Sequence, residues 1–105
     1  MTYARNIPNT GSRSCACGPW IDHHYFVTGS RRTTCSVLGC GGPAEVGAHV
    51  YWIPSSGAYD GAHYIIPMCH GCNMIKTRDL PVDSRVQFAP ANISTCTVYV
   101  RERRR

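Results

Sequence analysis

The sequence predicts a small α+β fold, in which a zinc knuckle, a β-hairpin and a short helix are flanked by an N-terminal extension and a C-terminal strand. A chain of 105 residues is expected to form one domain with a modest core, and such domains often need a metal or disulfides for stability. Two close pairs of cysteines, Cys35 with Cys40 and Cys69 with Cys72, offer the four thiolates that a tetrahedral zinc ion takes. A structural zinc site contributes on the order of 10–16 kcal/mol of apparent binding free energy to folding. We therefore expect zinc to supplement the core.

Glycines accompany both cysteine pairs, which is typical of tight turns that need an unusual backbone around a thiolate. The competing interpretation is that the four cysteines are unrelated core residues. Two paired spacings within one short chain argue against that interpretation. The glycines are Gly39, Gly41 and Gly42 at the first pair and Gly71 at the second.

We expect a single domain over residues 1–105, in three parts. An N-terminal extension covers 1–34, the zinc-binding core covers 35–80, and a strand with a basic tail covers 81–105. The first 14 residues are polar and contain Pro and Gly, so they are expected to form an extended arm.

A second metal site is a candidate within the N-terminal extension. Cys15 and Cys17 form a C-x-C pair, and a short helix is expected to begin near Pro19 and to carry His23 and His24. Either histidine is then a candidate to join the two thiols at a metal ion. The alternative, buried cysteines with histidines on a solvated face, stays open at this point.

The middle of the chain predicts a β-hairpin. Residues 45–53 are rich in β-branched and aromatic side chains, which favours a strand. A loop over 54–60 leads to a second strand over 63–68, antiparallel to the first.

The rest of the chain predicts one helix and one strand. The helix is expected over 72–78, and Pro81 ends it. The tail from residue 85 is expected to form a strand, whose pattern places Cys96 in the core. The alternative is that Cys96 is a further candidate metal ligand. It finishes in the arginine-rich stretch 101–105.

The charge favours nucleic acid as the partner, DNA more than RNA. The formal net charge is +5, and ten of the eleven basic residues are arginines, whose forked guanidinium groups suit phosphate. The alternative is a positive surface that serves solubility. The candidate contacts are Arg31, Arg32, Lys76 and Arg78.

The cysteine usage favours a cytoplasmic, reducing compartment. Seven cysteines are an odd number for a disulfide framework, and residues 1–13 have no apolar core typical of a signal peptide. No stretch approaches the length of a membrane span, so a membrane partner is not expected, and the oligomeric state stays open.

The order of these features resembles the HNH endonucleases of the ββα-metal, treble-clef type. The resemblance covers residues 35–76: an outer cysteine pair, a histidine on the first hairpin strand, and an inner C-x-x-C followed at once by Asn73 and, three residues on, by Lys76. It implies a treble clef on zinc. It also implies hydrolysis of phosphodiester bonds with a hard divalent metal ion and a histidine as general base.

Carried over residue by residue, the resemblance assigns the general base to His49 and one catalytic-metal ligand to Asn73. Ala48 occupies the position of the other ligand, and alanine binds no cation. Tyr64 occupies the position of the orienting Asn, for which His63 is the candidate substitute. A catalytic Mg, Mn or Ni ion would thus have an altered set of ligands.

Another interpretation of His49 gives it a structural role instead of a catalytic one. In this interpretation the former catalytic site has become a second zinc centre. Its ligands would be Cys15, Cys17, His23 and His49.

Three functions of different class follow. The first is an HNH-like zinc protein that binds nucleic acid through a basic surface. The second is an active metal-dependent HNH endonuclease with His49 as general base. The third is a zinc-stabilised adaptor for protein interactions, with an exposed apolar patch around Tyr51, Trp52 and Ile53.

Overall fold

A computed structural model of the chain describes residues 1–8, 19–56 and 60–91. Within these ranges the protein has an antiparallel sheet and two short helices, which confirms the predicted α+β class. Neither described helix is long and apolar enough to cross a membrane. The elements in chain order are β1 (Thr2–Asn6), α1 (Trp20–Thr28), β2 (Val46–Ile53), β3 (His63–Met68), α2 (His70–Asn73), β4 (Leu80–Val82) and β5 (Ala89–Pro90).

The predicted hairpin forms the centre of the sheet. Strands β2 and β3 pair antiparallel over six positions, from Val46 opposite Met68 to Tyr51 opposite His63. The sheet order is β4-β1-β2-β3-β5, and every neighbouring pair is antiparallel. The prediction of a helix beginning near Pro19 is also confirmed, since Pro19 precedes the first turn of α1.

The first residues of the chain, predicted as an extended arm, are extended and form a strand inside the sheet. Strand β1 lies between β2 and β4, and Ala4 pairs with both Trp52 and Leu80. Side chains alternate along β1, so that Ala4 and Asn6 are buried while Tyr3 is exposed. A strand so poor in large apolar residues is fixed by pairing with its neighbours on both sides, and this pairing leaves little trace in the local sequence.

Helix α2 is shorter than the predicted helix over 72–78. It ends at Asn73, and the chain leaves the helix at Met74. The backbone carbonyls of Cys72 and Ile75 accept hydrogen bonds from the side chain of Asn6, at 2.9 and 2.8 Å. A continuing helix would use those carbonyls for the N–H groups four residues further on. Lys76 and Arg78 therefore lie in an irregular segment, not on a helix.

The two faces of the sheet have different coverings. One face carries the main core cluster, in which Ala48 and Val50 of β2 meet Cys35. The opposite face of β2 and β3 is covered by α1, which also contacts β5. The buried hydrophobic residues of the cluster are Ala4, Cys35, Ala48, Val50, Ile66, Met68, Leu80 and Val82.

Helix α1 approaches β2 closely at Gly47. A Cβ atom built there would overlap the backbone of Trp20 and Ile21, and would lie 2.7 Å from the carbonyl oxygen of Trp20. Glycine is thus the residue that lets the first turn of α1 rest on the strand. The strand predicted from residue 85 begins only at Ala89, where β5 starts, and residues 85–88 are irregular. Its predicted continuation with Cys96 lies outside the described residues.

Candidate metal centre

Four cysteine sulfurs converge at one end of the hairpin. The Sγ atoms of Cys35, Cys40, Cys69 and Cys72 all lie within 4.8 Å of one another. The Cys40–Cys69 and Cys40–Cys72 sulfur pairs are each 3.7 Å apart. Four sulfurs at a Zn–S distance of about 2.3 Å form a tetrahedron with edges of about 3.8 Å. The cluster therefore fits a zinc ion, and these positions confirm that the four cysteines are placed to hold a metal.

The first pair of cysteines lies in a tight turn that two backbone hydrogen bonds close. The N–H of Cys35 donates to the carbonyl of Gly42 at 2.8 Å, and the N–H of Cys40 donates to the carbonyl of Val37 at 3.2 Å. Gly39 and Gly41 have φ angles of 79° and 69°, the left-handed region that glycine adopts without strain. The expectation of an unusual backbone is thus confirmed at these two glycines.

The second pair lies at the start of α2. Cys69 caps the helix, and its sulfur accepts a hydrogen bond from the N–H of Cys72 at 3.3 Å. Gly71 lies inside this helix, and neither it nor Gly42 has a positive φ, so the expected special backbone is wrong for these two. The second cysteine pair thus follows directly after the end of β3.

The environment of the thiols differs from one cysteine to the next. Burial raises the pKa of the Cys35 thiol, which is 2 % exposed. Burial and hydrogen bonds with the neighbouring thiols also raise the pKa of Cys72, whereas the backbone N–H of Cys72 lowers the pKa of Cys69. A bound cation deprotonates coordinating thiols, so metal binding at this centre would release protons.

Asn6 ties the sheet to the segment that carries the second cysteine pair. Its side chain is 1 % exposed and donates to the carbonyls of Cys72 and Ile75. Asn6 is not recognisable from the sequence, because 66 positions separate it from Cys72 and nothing in the local sequence marks it. The alternation of small and long side chains over Thr2–Asn6 is the one signal that would have suggested a strand.

Arg32 stabilises the backbone that carries the first cysteine pair. Its guanidinium group donates to the carbonyl of Thr34 at 2.8 Å and contacts that of Cys35 at 3.4 Å. It also pairs with the carboxylate of Asp83 at 3.2 Å, and both side chains are largely buried. Asp83 was also missed by the sequence analysis. Arg32 thus braces the backbone that carries Cys35.

The candidate second zinc site is described in part. Cys15 and Cys17 lie outside the described residues. His23 and His49 both contact the indole ring of Trp20, with ring centroids 5.0 and 4.6 Å away. The Nε2 atom of His23 lies 2.7 Å from the carbonyl oxygen of Pro90, so this nitrogen carries the proton. The assignment of a second zinc ion stays a prediction.

The candidate catalytic residues lie on different sides of the sheet. His49 sits between Ala48 and Val50 and points to the opposite face, where it is 5 % exposed beneath Trp20. His63 shares that face, because its cross-strand partner Tyr51 is two residues from His49.

Helix α2, which carries Asn73, lies on the core side of the sheet. Its capping residue Cys69 and its own Cys72 pack against the core cluster. His49 and His63 thus lie on the same face of the sheet. The sheet separates His49 from α2, which carries Asn73. The catalytic roles of His49, His63 and Asn73 stay predictions.

The candidate nucleic-acid residues fall into two groups. Arg31 lies over the ring of Tyr25 at 4.5 Å and is 3.7 Å from Asp22, and Arg32 is held by Asp83. Lys76 and Arg78 are exposed and make no ion pair with the described residues. Their roles in binding stay predictions.

Comparisons with protein-family models, with curated proteins and with solved structures find no match for this chain. The four-cysteine cluster is therefore the feature from which a function must be argued.

Proposed function

We propose that this protein is a zinc-stabilised, HNH-like treble clef that binds nucleic acid. The observation that carries the proposal is the four-sulfur cluster, whose 3.7 Å sulfur pairs suit tetrahedral zinc and which joins a glycine-rich turn, a hairpin and a helix start. That order of parts supports the treble-clef assignment. Zinc then holds the fold, and the basic residues bind phosphate.

The distribution of charge supports nucleic-acid binding by particular segments. The described ranges hold six basic and five acidic residues, a net charge of +1, so the remaining +4 of the chain's +5 lies on other residues. Most of that excess is in the arginine-rich stretch 101–105. Lys76 and Arg78 add two cations that no described carboxylate neutralises. If these segments bind phosphates, the affinity of the protein for nucleic acid falls steeply as the salt concentration rises.

The test is a gel-shift titration of random duplex DNA with the zinc-loaded protein at several salt concentrations. Ending the chain after Val100 removes four arginines and one glutamate, so we expect weaker binding and a shallower slope of log affinity against log salt. The slope should change by about 0.9 for each phosphate that the shortened chain no longer neutralises. Lys76→Ala is expected to lower affinity while leaving the fold intact. Failure of the full chain to shift duplex at moderate salt contradicts the proposal and favours the protein-interaction adaptor.

The second candidate function is an HNH endonuclease. The observation that favours it is the shared position of His49 and His63 on one face of the hairpin. His49 lies beneath Trp20, so α1 would have to move before a phosphodiester reached the imidazole. A supercoiled-plasmid assay with Mg, Mn or Ni tests this function. Metal-dependent nicking that disappears in His49→Ala supports it, and a gel shift without nicking leaves binding as the function.

A further inference from the structure

A groove of about 350 Å³ lies between the C-terminal end of α1 and the segment that follows β4. Its size suits a phosphate together with part of a sugar, and lies within the range of small-ligand pockets. Among the residues that the structure describes, no acidic side chain lines it. The polar groups that line it include Ser30, Arg31, Arg32, Thr33, Thr34 and Arg85.

Two of the three arginines are held in place by one carboxylate. The side chain of Asp83 is 13 % exposed and accepts from Arg85 Nε at 3.1 Å and Nη2 at 2.8 Å. It also accepts from Arg32 Nη2 at 3.2 Å. The hydrogen bonds from Arg85, with the Arg32 guanidinium beside it, hold the pKa of Asp83 well below its usual range. One negative charge is thus shared between two guanidinium groups, which leaves this part of the groove positive.

The third arginine adds to that excess. Arg31 lies against the ring of Tyr25 and is 3.7 Å from Asp22, a long ion pair at an exposed position. The cluster therefore carries three guanidinium groups against two carboxylates. Arg85 donates to Asp83 through Nε and Nη2, so among the described residues its Nη1 group stays available to a ligand.

We propose that this groove is a phosphate-binding subsite. A tetrahedral anion has several acceptor oxygens. The groove offers them forked guanidinium donors, which a largely buried carboxylate holds in place, and three hydroxyl groups. The phosphate is that of a nucleic-acid strand, and this choice of source rests on the proposed function. Of the four nucleic-acid candidates from the sequence, Arg31 and Arg32 line this groove, and the fold adds Arg85 and the hydroxyl groups of the turn.

The first arm of the test uses inorganic phosphate as the probe. The zinc-loaded, isotope-labelled protein is titrated in a phosphate-free buffer at constant ionic strength, and amide shifts are followed by NMR. We expect saturable shifts at Ser30, Thr33 and Thr34. We expect Arg85→Gln to weaken this binding about tenfold, the factor that one hydrogen bond to a charged group contributes.

The matched control is Arg5→Gln. Arg5 also pairs with an aspartate, Asp79, and its side chain is half-buried, but it lies on β1 and does not line the groove. This variant should bind phosphate as the wild type does. Arg31→Gln is the second groove variant and covers the case in which Arg85→Gln changes the fold. The proposal is overturned if phosphate produces no saturable shifts at the turn, or if both groove variants bind it as tightly as Arg5→Gln.

The second arm identifies the source of the phosphate with a short DNA duplex. Binding that Arg85→Gln weakens and Arg5→Gln does not assigns the groove to the nucleic-acid backbone. Saturable binding of inorganic phosphate without any binding of duplex keeps the subsite, assigns it to free phosphate and contradicts the proposed function. Duplex binding that is equal in the groove variants and the control contradicts the assignment of the groove to nucleic acid.

Discussion

Gly47 is a residue at which the packing of α1 on the sheet is sensitive to substitution. Any side chain there meets the backbone of Trp20 and Ile21, which cannot rotate away as a side chain would. We expect Gly47→Ala to lower the free energy of unfolding by about 1–3 kcal/mol, the usual cost of overpacking. Urea unfolding of the zinc-loaded protein measures it.

Gly71→Ala is the control for this prediction, because a Cβ at Gly71 would lie 4.0 Å from its nearest neighbour, the sulfur of Cys69. It is expected to change stability by less than about 0.5 kcal/mol. Equal stability of Gly47→Ala and the wild type would mean that α1 does not rest on β2 as described.

Asn6 gives a second prediction at the scale of one residue. Its amide group donates to two carbonyls, so Asn6→Asp replaces a donor by a carboxylate that repels them. We expect Asn6→Asp to destabilise the protein by about 2–4 kcal/mol, and Asn6→Ala by about 1–3 kcal/mol. Both variants should also bind zinc more weakly in a chelator competition. A more stable Asn6→Asp than Asn6→Ala would contradict the role of the amide as a donor.

Single positions also show what the sequence can reveal about the site. Cys35, Cys40, Cys69 and Cys72 are recognisable because paired spacing is a local property. Asn6 and Asp83 are not, because each acts on a segment far away in the chain and has an ordinary sequence context. Chemistry that depends on long-range contact is thus the part that sequence reasoning misses.

At the scale of elements, α1 is fixed to the far edge of the sheet by two adjacent histidines. The Nε2 atoms of His23 and His24 lie 2.7 Å from the carbonyl oxygens of Pro90 and Gln87. Burial lowers the pKa of both imidazoles below 6.5, and the neighbouring His23 further lowers that of His24. Both are therefore neutral donors near pH 7.

This arrangement predicts a decrease in stability in mild acid. The unfolded chain takes up protons as the pH falls through about 6.5 while the folded histidines stay neutral, so the free energy of unfolding decreases from that pH downward. His24→Gln keeps a donor for the Gln87 carbonyl and removes one titration. We expect its stability to depend less on pH than that of the wild type.

Denaturant titrations at about pH 7.5, 6.5 and 5.5 in excess zinc bracket the ordinary histidine pKa and measure the effect. Because the wild type and His24→Gln share the same four cysteines, the protonation of the metal centre cancels in the comparison. An identical pH dependence in the two proteins would contradict the assignment of His24 as a buried neutral donor.

Elements differ in how far the sequence predicts them. The sequence predicts the hairpin with nearly its observed bounds, because 45–53 and 63–68 carry a strong β-forming composition. It does not predict strand β1 or the end of α2, because pairing with β2 and β4 fixes the first and hydrogen bonds from Asn6 fix the second. Tertiary contacts override weak local preferences at these places.

For the whole molecule, we expect the fold to depend on a metal that connects parts distant in sequence. The four cysteines join the turn after α1 to the start of α2, and Cys35 belongs to the main core cluster. Removing the metal should therefore loosen the sheet as well as the cysteine turns.

The most direct measurement is a cobalt(II) titration of the metal-free, reduced protein, followed by absorbance and by circular dichroism. We predict an intense thiolate-to-cobalt band with the spectrum of a tetrahedral four-thiolate site, and folding that saturates with it. Cys69→Ser should remove this spectrum and the folding, whereas a Cys15→Ser and Cys17→Ser double variant should keep both. A wild type that folds fully without metal, or a spectrum unchanged by Cys69→Ser, would contradict a fold built on the four-cysteine metal centre.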